Sequence, residues 1–428
     1  MSLDTVGKWL GVLLVAGYGA LVALELVRYF RSALAAPDEA PDALSARASR
    51  RIMWLWVLGA FAVSRLLVAL VCAIAYRVEG QGLEGFLRVF YDKLFPWDAR
   101  HYIHIIENGY VNFGDEALFI VFFPFFPLLC RNLTFITGMS AEVAAFAVSN
   151  AALLASGAVL WRLAELDGGE AVGRRAMLLL MFCPVTYFYS ISYSESTFLL
   201  ATLLAVYCAR QRRFPLAVLF GAMAANARVL GIATAIPIFW ELLRRERESW
   251  GSDMPPKGVV ARRIGLCVLK VLPMALGFMA YLCVNWRLFG SPTQFMVFQR
   301  EHWFQQFGSI GNTFRYSLVN ALEYDDLLYR YGVWWPQVIL LPAIPLLVFL
   351  RRRRERPGDT AYALVYHYVA FAPTWLLSGL RYASCSYALY PMLARVPRKR
   401  LGFVLILALE IALLAGAAWL GLWRTKIY

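Results

Sequence analysis

Trp97 and Asp98 open a stretch that combines a carboxylate, two histidines and several aromatic side chains. A proline precedes this stretch and Gly109 follows it, which predicts a short helix from about 98 to 108. Spacing of three residues places Asp98 and His101 on one face of that helix. A carboxylate beside aromatic rings can take the proton from an attacking hydroxyl group, which is general-base chemistry. The alternative is that Asp98 only caps the start of the helix.

Three further charged residues interrupt apolar sequence. Glu195 lies between two apolar runs, where a carboxylate is costly unless it is paired or functional; the alternative is a capping box with Ser192. Arg228 lies inside an apolar stretch and Arg381 lies at a helix junction. Both are candidates for binding a phosphate or a lipid headgroup. The alternatives are that Arg228 pairs with an internal carboxylate and that Arg381 snorkels to the membrane surface.

The two histidines of the first stretch, His101 and His104, are a weak signal for a metal. We expect them to pack or to form hydrogen bonds, and we predict no metal site. The apolar face of the same helix should lie on the membrane surface. This face comprises Tyr102, Ile105 and Ile106.

The composition is typical of a membrane protein. The 428 residues are 60% hydrophobic and 16% charged, whereas soluble domains are about half apolar and about a quarter charged. Long apolar runs recur along the chain, as expected for spanning helices. The net charge of +14 comes from basic residues between these runs, so the positive-inside rule explains it better than nucleic-acid binding. The seven cysteines form no C-x-x-C pair and predict neither a metal cluster nor a disulfide framework.

Basic clusters assign the linkers to the two sides of the membrane. The polar linker 36–46 should be cytoplasmic, whereas 77–140, with its juxtamembrane helices, and 290–332 should be outward loops. The second loop is rich in aromatics and amides, which suits sugar binding, although an interfacial aromatic belt is the alternative. We predict one all-α membrane domain over 1–428 with 11–13 spans. The clusters that should face the cytoplasm include Arg174–Arg175, Arg210–Arg213, 244–263, Arg351–Arg354 and Arg398–Arg400.

Two apolar segments are predicted to be broken. The side assignments leave no room for the run 118–136 to cross the membrane, and it contains Pro124 and Pro127. The run 214–240 has basic clusters at both ends, which predicts a hairpin of two short helices with Arg228 near its outward tip. Broken helices at membrane depth are tolerated where they line protein or a wet cavity, so both segments are candidates for lining a cavity.

Three blocks of sequence resemble those of the PIG-V mannosyltransferases. The blocks occur in the order of the family and at similar spacing, over roughly 95–235. The third block departs from the usual Ser-Asn pair of the family. The first block is Trp97-Asp98-x-x-His101-Tyr102-x-x-Ile105-x-Glu107-x-Gly109-Tyr110, followed by Phe122-Phe123-Pro124-x-Phe126-Pro127-Leu128. The second is Ser192-Tyr193-Ser194-Glu195-Ser196-x-Phe198, and the third is Ala227-Arg228-Val229-Leu230-Gly231.

The resemblance implies a GT-C helical bundle whose acidic site lies in the first long outward loop. It implies an inverting transfer of mannose, or a similar hexose, from a polyprenyl-phosphate-linked donor to a lipid or glycan acceptor, without a metal or cofactor. Asp98 would be the base, and His101 and Glu195 would support it or position the acceptor. Arg228 and Arg381 would bind the donor phosphate. The residues expected to contact substrate are Trp97, Glu107, Tyr110, Tyr193 and Tyr382.

The partners expected from this reading are the donor, the acceptor and membrane lipids, and not nucleic acid. We expect a prokaryotic plasma membrane with the active site outward, because the chain is compact; the endoplasmic reticulum membrane is the alternative. Two other classes stay open. A polytopic transporter or lipid flippase would also use broken helices and intramembrane charges, and an accessory subunit would carry a degenerate site.

Overall fold

The computed structural model describes residues 2–35, 49–82, 84–251 and 254–424, and the linker 36–46 lies outside them. Within these residues helices are the regular secondary structure, and an isolated bridge joins Phe307 and Pro373. The α-helices are α1 (Leu3–Leu34), α2 (Arg50–Val78), α3 (Phe86–Lys93), α4 (Asp98–Asn108), α5 (Phe125–Thr137), α6 (Ala141–Phe182), α7 (Glu195–Arg210), α8 (Phe214–Ala227), α9 (Ala235–Glu248), α10 (Lys257–Val271), α11 (Ala275–Phe289), α12 (Gln294–His302), α13 (Ile310–Glu323), α14 (Leu327–Tyr329), α15 (Trp335–Arg351), α16 (Pro357–Phe371), α17 (Gly379–Ser384), α18 (Leu389–Ala394) and α19 (Arg400–Ala418). Five 3₁₀ helices cover Asp115–Val121, Thr186–Tyr189, Val229–Thr234, Leu272–Met274 and Arg352–Arg354, and two π-helices cover Arg330–Trp334 and Trp419–Trp423.

The predicted all-α polytopic architecture is confirmed, with a smaller number of full-length spans. Among the described residues, six helical segments are long and apolar enough to cross a membrane, or up to seven if a bent pair counts as one. The prediction of 11–13 spans is higher because several apolar runs form helices of 14 to 16 residues. Such helices are shorter than the roughly 20 residues that cross a hydrocarbon core. The six segments are Leu3–Leu34, Arg50–Val78, Ala141–Phe182, Lys257–Phe289, Leu327–Arg354 and Arg400–Trp423.

The run 118–136 is broken, as predicted. The 3₁₀ helix Asp115–Val121 and α5 meet at an angle of 112°. Pro124 stands directly before α5 as its N-cap residue. At this position a backbone N–H would have no partner within the helix, so proline removes no helical hydrogen bond. The helix predicted over 98–108 is confirmed as α4, and it ends at Gly109 with a φ of 78°.

The apolar face of α4 has a different partner from the one predicted. Tyr102, Ile105 and Ile106 are buried within the protein. Tyr102 and Ile106 belong to the same apolar cluster as Phe126 of α5 and Ala145 of α6. The prediction of a helix lying on the membrane surface is therefore wrong, because the bent segment α5 folds over this face and covers it.

The helix α6 reverses direction at Gly169, which adopts a φ of 74° and a ψ of 177°. The two arms then lie side by side. Asn150 of the first arm donates to the carbonyl of Ser190, just beyond the second arm, at 3.0 Å. Ser149 likewise donates to the carbonyl of Tyr193. This turn corresponds to the linker 162–175 that separates two apolar runs in the sequence.

Three short helices run from one end of the molecule to a common level inside it. At one end, here called the arginine-rich end, Arg210 of α7 pairs with Asp167, Glu241 and Asp359, and is 2% exposed. Arg356, just before α16, pairs with Asp167 and Glu241 as well. The helices α7, α8 and α16 have 16, 14 and 15 residues, so they reach about 21–24 Å from this end. That distance is less than the roughly 30 Å of a hydrocarbon core.

The run 214–240 is a hairpin of two short helices, as predicted, with Arg228 at the break. The 3₁₀ segment Val229–Thr234 folds back against α8. A β-carbon built on Gly231 would lie 2.1 Å from the carbonyl oxygen of Ala224. Only a residue without a side chain fits this approach, so Gly231 fixes the hairpin that presents Arg228.

We expect Gly231→Val to destabilise the protein by roughly 2 kcal/mol or more, because overpacking forces the backbone apart. The measurement is thermal unfolding of the purified protein in detergent. Gly17→Ala is the matched control, since nothing lies within 4 Å of a β-carbon at that position. Equal unfolding temperatures for the two variants would contradict the close packing of the hairpin.

Candidate active site

Asp98 is the first residue of α4, and the preceding residue Trp97 is the N-cap. The alternative that Asp98 only caps this helix is therefore wrong. Trp97 has a φ of 42° and a ψ of −116°, in a region that side chains rarely adopt. Strain of this kind costs about 1–3 kcal/mol and persists where the surroundings impose it. The strained turn directs Asp98 away from the capping position and toward Arg381.

Two hydrogen bonds hold this turn against the segment before α7. The hydroxyl of Tyr193 donates to the carbonyl of Pro96 at 3.3 Å. The hydroxyl of Tyr102 donates to Oγ of Ser194 at 3.0 Å. Both bonds are local to the beginning of α7, so the segments 96–102 and 193–195 form one unit.

Asp98, Glu195, Arg228 and Arg381 form a continuous charge cluster. Arg381 Nη1 lies 3.6 Å from Asp98 Oδ2, and Arg381 Nε lies 3.3 Å from Glu195 Oε1. Arg228 Nη1 donates to the same oxygen of Glu195 at 2.5 Å. Glu195 therefore joins two arginines, and one of these arginines reaches Asp98.

The four side chains of the cluster differ in exposure. Glu195 is 1% exposed and Arg381 is 6% exposed, whereas Arg228 is 16% and Asp98 is 29% exposed. A substrate can therefore reach Asp98 and the edge of Arg228. Glu195 is the buried anion that holds the two arginines.

Aromatic rings enclose the arginines. The guanidinium of Arg381 lies 5.0 Å from the ring centroid of Tyr193, 5.1 Å from that of Phe188 and 5.3 Å from that of Tyr382. Arg228 lies 4.9 Å from the ring of Tyr382. Cation–π contacts of this kind stabilise a desolvated guanidinium. The rings of Tyr193 and Tyr382 therefore form part of the wall around the arginines.

The structure decides among the alternatives for the three charged residues. Ser194 is the N-cap of α7 and makes no side-chain capping bond, so the capping box between Glu195 and Ser192 is wrong. Arg228 pairs with an internal carboxylate, as its alternative proposed. Arg381 is buried, so snorkelling to the membrane surface is wrong. Glu195 Oε2 is buried without a hydrogen-bond partner in the described part of the chain.

His101 packs at the edge of this site. Its ring centroid lies 4.3 Å from that of Phe119 and 5.3 Å from that of Phe122. His104 packs edge-on against Phe119 at 5.4 Å. These contacts agree with the expectation of packing roles for both histidines.

Two predicted substrate contacts are not among the residues of the charge cluster. The hydroxyl of Tyr110 donates to the carbonyl of Phe122 at 2.6 Å, which ties it to the bent segment, and its contact with substrate stays a prediction. Glu107 is exposed near the far end of α4. Nine residues separate it from Asp98, which is about 13 Å along a helix axis.

Sequence reasoning missed Arg65 and Phe188. Phe188 is fully buried and forms one face of the arginine enclosure, and nothing in its sequence context distinguishes it from other core aromatics. Arg65 lies in the middle of α2 and donates to the carbonyl of Thr186 at 2.9 Å. The sequence did contain a signal for Arg65, because an arginine inside an apolar span marks a functional site by default.

Comparison with known proteins places these residues in a family. The sequence profile described as Mannosyltransferase (PIG-V) matches residues 66–293, which is just over half of the chain. GPI alpha-1,6-mannosyltransferase 2 of Rattus norvegicus is 33% identical over 196 residues, covering 43% of this chain and 39% of that protein. The match thus spans less than half the length of this relative.

Two solved structures of ArnT from Cupriavidus metallidurans are also similar. The one bound to undecaprenyl phosphate has a TM-score of 0.48 and 14% identity, and the match covers 86% of this chain and 76% of that chain. The apo structure has a TM-score of 0.46 and 16% identity, covering 78% and 74%. The profile match contains Asp98, Glu195 and Arg228, whereas Arg381 lies beyond it. The chain belongs to the Mannosyltransferase (PIG-V) family of membrane glycosyltransferases.

Proposed function

We propose that this protein transfers mannose, or a similar hexose, from a polyprenyl-phosphate-linked donor to a lipid or glycan acceptor, with Asp98 as the base. One observation carries the proposal. An accessible carboxylate, Asp98, lies 3.6 Å from an arginine of a buried charge cluster. A base for the acceptor and cations for a phosphate therefore occur side by side.

The proposed step is a single displacement. The acceptor hydroxyl oxygen bonds to the anomeric carbon as the bond from that carbon to the phosphate oxygen breaks. The hydroxyl proton passes to Asp98, and the electron pair of the broken bond leaves with the phosphate. A single displacement inverts the anomeric configuration.

The charge balance of the site suits this step. The two arginines balance Asp98 and Glu195, so the cluster gains one net positive charge when Asp98 takes the proton. The donor phosphodiester carries one negative charge, and the leaving phosphate gains another as Asp98 is neutralised. Arginines placed where charge develops stabilise such a transition state in a water-poor site. The proposed step itself uses no metal or cofactor.

Arg228 is the arginine that we expect the phosphate to contact first. It is more exposed than Arg381, and one of its nitrogens already pairs with Glu195. A planar guanidinium can bind a carboxylate on one edge and a phosphate on another. Arg381 then pairs with both Asp98 and Glu195.

An apolar cavity supports a lipid-linked donor. It has a volume of about 510 Å³, and Ile232, four residues after Arg228, is one of its lining residues. Its other walls come from α1, α9, α10, the 3₁₀ helix Leu272–Met274, α11 and α16, including Tyr29, Ala235 and Met274. A phosphate at Arg228 would place its isoprenoid chain near this cavity, whose apolar walls would replace bilayer lipid around the chain.

The proposal includes a membrane orientation. We place the arginine-rich end in the cytoplasm by the positive-inside rule. The charge cluster then opens toward the extracytoplasmic side of a prokaryotic plasma membrane, with the endoplasmic reticulum lumen as the alternative. A bundle of short helices around an acidic outward site is also the arrangement we expect of a GT-C enzyme.

A transporter or flippase is supported less well. Alternating access needs a path that can open at either end. Here the arginine-rich end is joined by the ion pairs of Arg210 and Arg356 across α6, α7, α9 and α16. The cluster of Asp98, Glu195, Arg228 and Arg381 lies at the opposite ends of the short helices.

We expect Asp98→Asn to lower kcat by about 10²–10⁴-fold, because the acceptor loses its base. The assay follows transfer of labelled mannose from polyprenyl-phosphate-mannose to a panel of lipid and glycan acceptors. Asp115→Asn is the control, since Asp115 is an exposed carboxylate of the same predicted loop. Full activity of Asp98→Asn would refute the base assignment.

We expect Ala235→Leu to raise the KM for a long-chain polyprenyl donor by about tenfold, because the larger side chain fills part of the cavity. A short-chain donor analogue should be affected much less. Ala62→Leu, at an exposed position of α2 outside the cavity, serves as the control. An equal effect of Ala235→Leu on both donors would show that the chain does not lie in this cavity.

His101 should remain neutral at neutral pH. Burial beside the phenylalanines lowers its pKa, and the nearby Asp98 opposes this effect only in part. The unfolded state therefore binds a proton first as the pH falls below about 6.5, and stability is lost in that range. We expect the unfolding temperature of the wild type to fall more steeply between pH 6.5 and pH 5 than that of His101→Gln. Parallel profiles would contradict this assignment.

A further inference from the structure

The segment 183–194, here called the shelf, connects the second arm of α6 to α7 without forming an α-helix. It lies at the level where the short helices end, so its backbone polar groups are inside the bundle. Irregular backbone at membrane depth needs partners within the protein or in a wet cavity. The shelf carries two of the rings that enclose Arg381, those of Phe188 and Tyr193.

Arg65 of α2 forms hydrogen bonds to the shelf. Its Nη1 donates to the carbonyl of Thr186 at 2.9 Å and also to Oγ of Ser190. Its Nε donates to Ser64 Oγ at 3.3 Å. These partners in the described chain are neutral oxygens, so Arg65 is held by the shelf itself and not by a carboxylate.

The first arm of α6 also holds the shelf. Asn150 donates to the carbonyl of Ser190 at 3.0 Å, and Ser149 donates to the carbonyl of Tyr193 at 3.4 Å. Ser190 is therefore bound through its side chain by Arg65 and through its carbonyl by Asn150. The 3₁₀ turn Thr186–Tyr189 contacts Arg65 through the carbonyl of Thr186 and Arg381 through the ring of Phe188.

We propose that Arg65 is a positioning residue, which fixes the shelf so that Phe188 and Tyr193 hold Arg381 between Glu195 and Asp98. Keeping a guanidinium inside an apolar span is costly. A neutral side chain would occupy the same position at a smaller free-energy cost of desolvation. The arginine is retained, in this account, because one planar group can bind a backbone carbonyl and a hydroxyl together. The inference rests on the proposed function for its effect on catalysis, although not for its effect on the shelf.

The first test measures the shelf directly. Hydrogen–deuterium exchange of peptides covering 183–194 should be faster in Arg65→Gln than in the wild type. Arg65→Lys should be intermediate, because an ammonium group can satisfy fewer of these acceptors in the same geometry. Arg77→Gln, an exposed arginine of the same helix, is the control and should leave exchange unchanged. Unchanged exchange in Arg65→Gln would overturn the proposal whether or not the enzyme assay succeeds.

The second test measures transfer per folded enzyme. Arg65→Gln should lower kcat by about 10²-fold, as displaced catalytic groups commonly do, with little change in the KM for the donor. Combined with Phe188→Leu, its effect on kcat should be less than the product of the two single effects, because both act on Arg381. A normal kcat for folded Arg65→Gln, or independent effects in the double variant, would overturn the positioning role. Absence of transfer by the wild type would instead refute the proposed function, and the exchange result would still decide the role of Arg65.

Discussion

The burial of Glu195 between Arg228 and Arg381 is the interaction on which the rest of the site depends. A single buried ion costs several kcal/mol in desolvation, and this cost is offset only when its partners have good geometry. Glu195 is almost fully buried, and both arginines contact its Oε1. Three elements must therefore meet at one point: the beginning of α7, the end of α8 and the short helix α17.

This requirement accounts for the short helices. If α7, α8 and α16 crossed the whole bilayer, their ends would lie at the membrane surface, where water weakens ion pairs. They instead end about 21–24 Å from the arginine-rich end, so the charges meet inside the bundle. The price is irregular backbone at that depth, in the shelf 183–194 and in the turn at Arg228. Arg65, Asn150 and Gly231 each accommodate part of it.

Local features of this protein follow from local sequence. A proline before Trp97 and a glycine after Asn108 delimit α4, and Pro124 marks the bend before α5. Charge inside an apolar run identified Arg228 and Glu195. The partners of these residues were not predictable in the same way. Glu195 and Arg381 are 186 positions apart, and only the packing of α7 against the segment after α16 brings them together. The apolar face of α4 was misplaced for the same reason, since the fold of α5 determines what covers it.

The division of labour between the two carboxylates is the central claim. Asp98 is accessible and contacts one arginine, whereas Glu195 is enclosed by two. The most direct measurement is a structure of the protein with polyprenyl-phosphate-mannose, or an unreactive analogue, bound. The account predicts the phosphate against Arg228, the isoprenoid chain in the cavity beside Ile232, and Asp98 facing the anomeric carbon from the side opposite the phosphate. A phosphate bound at the arginine-rich end, or on the same side of the sugar as Asp98, would contradict it.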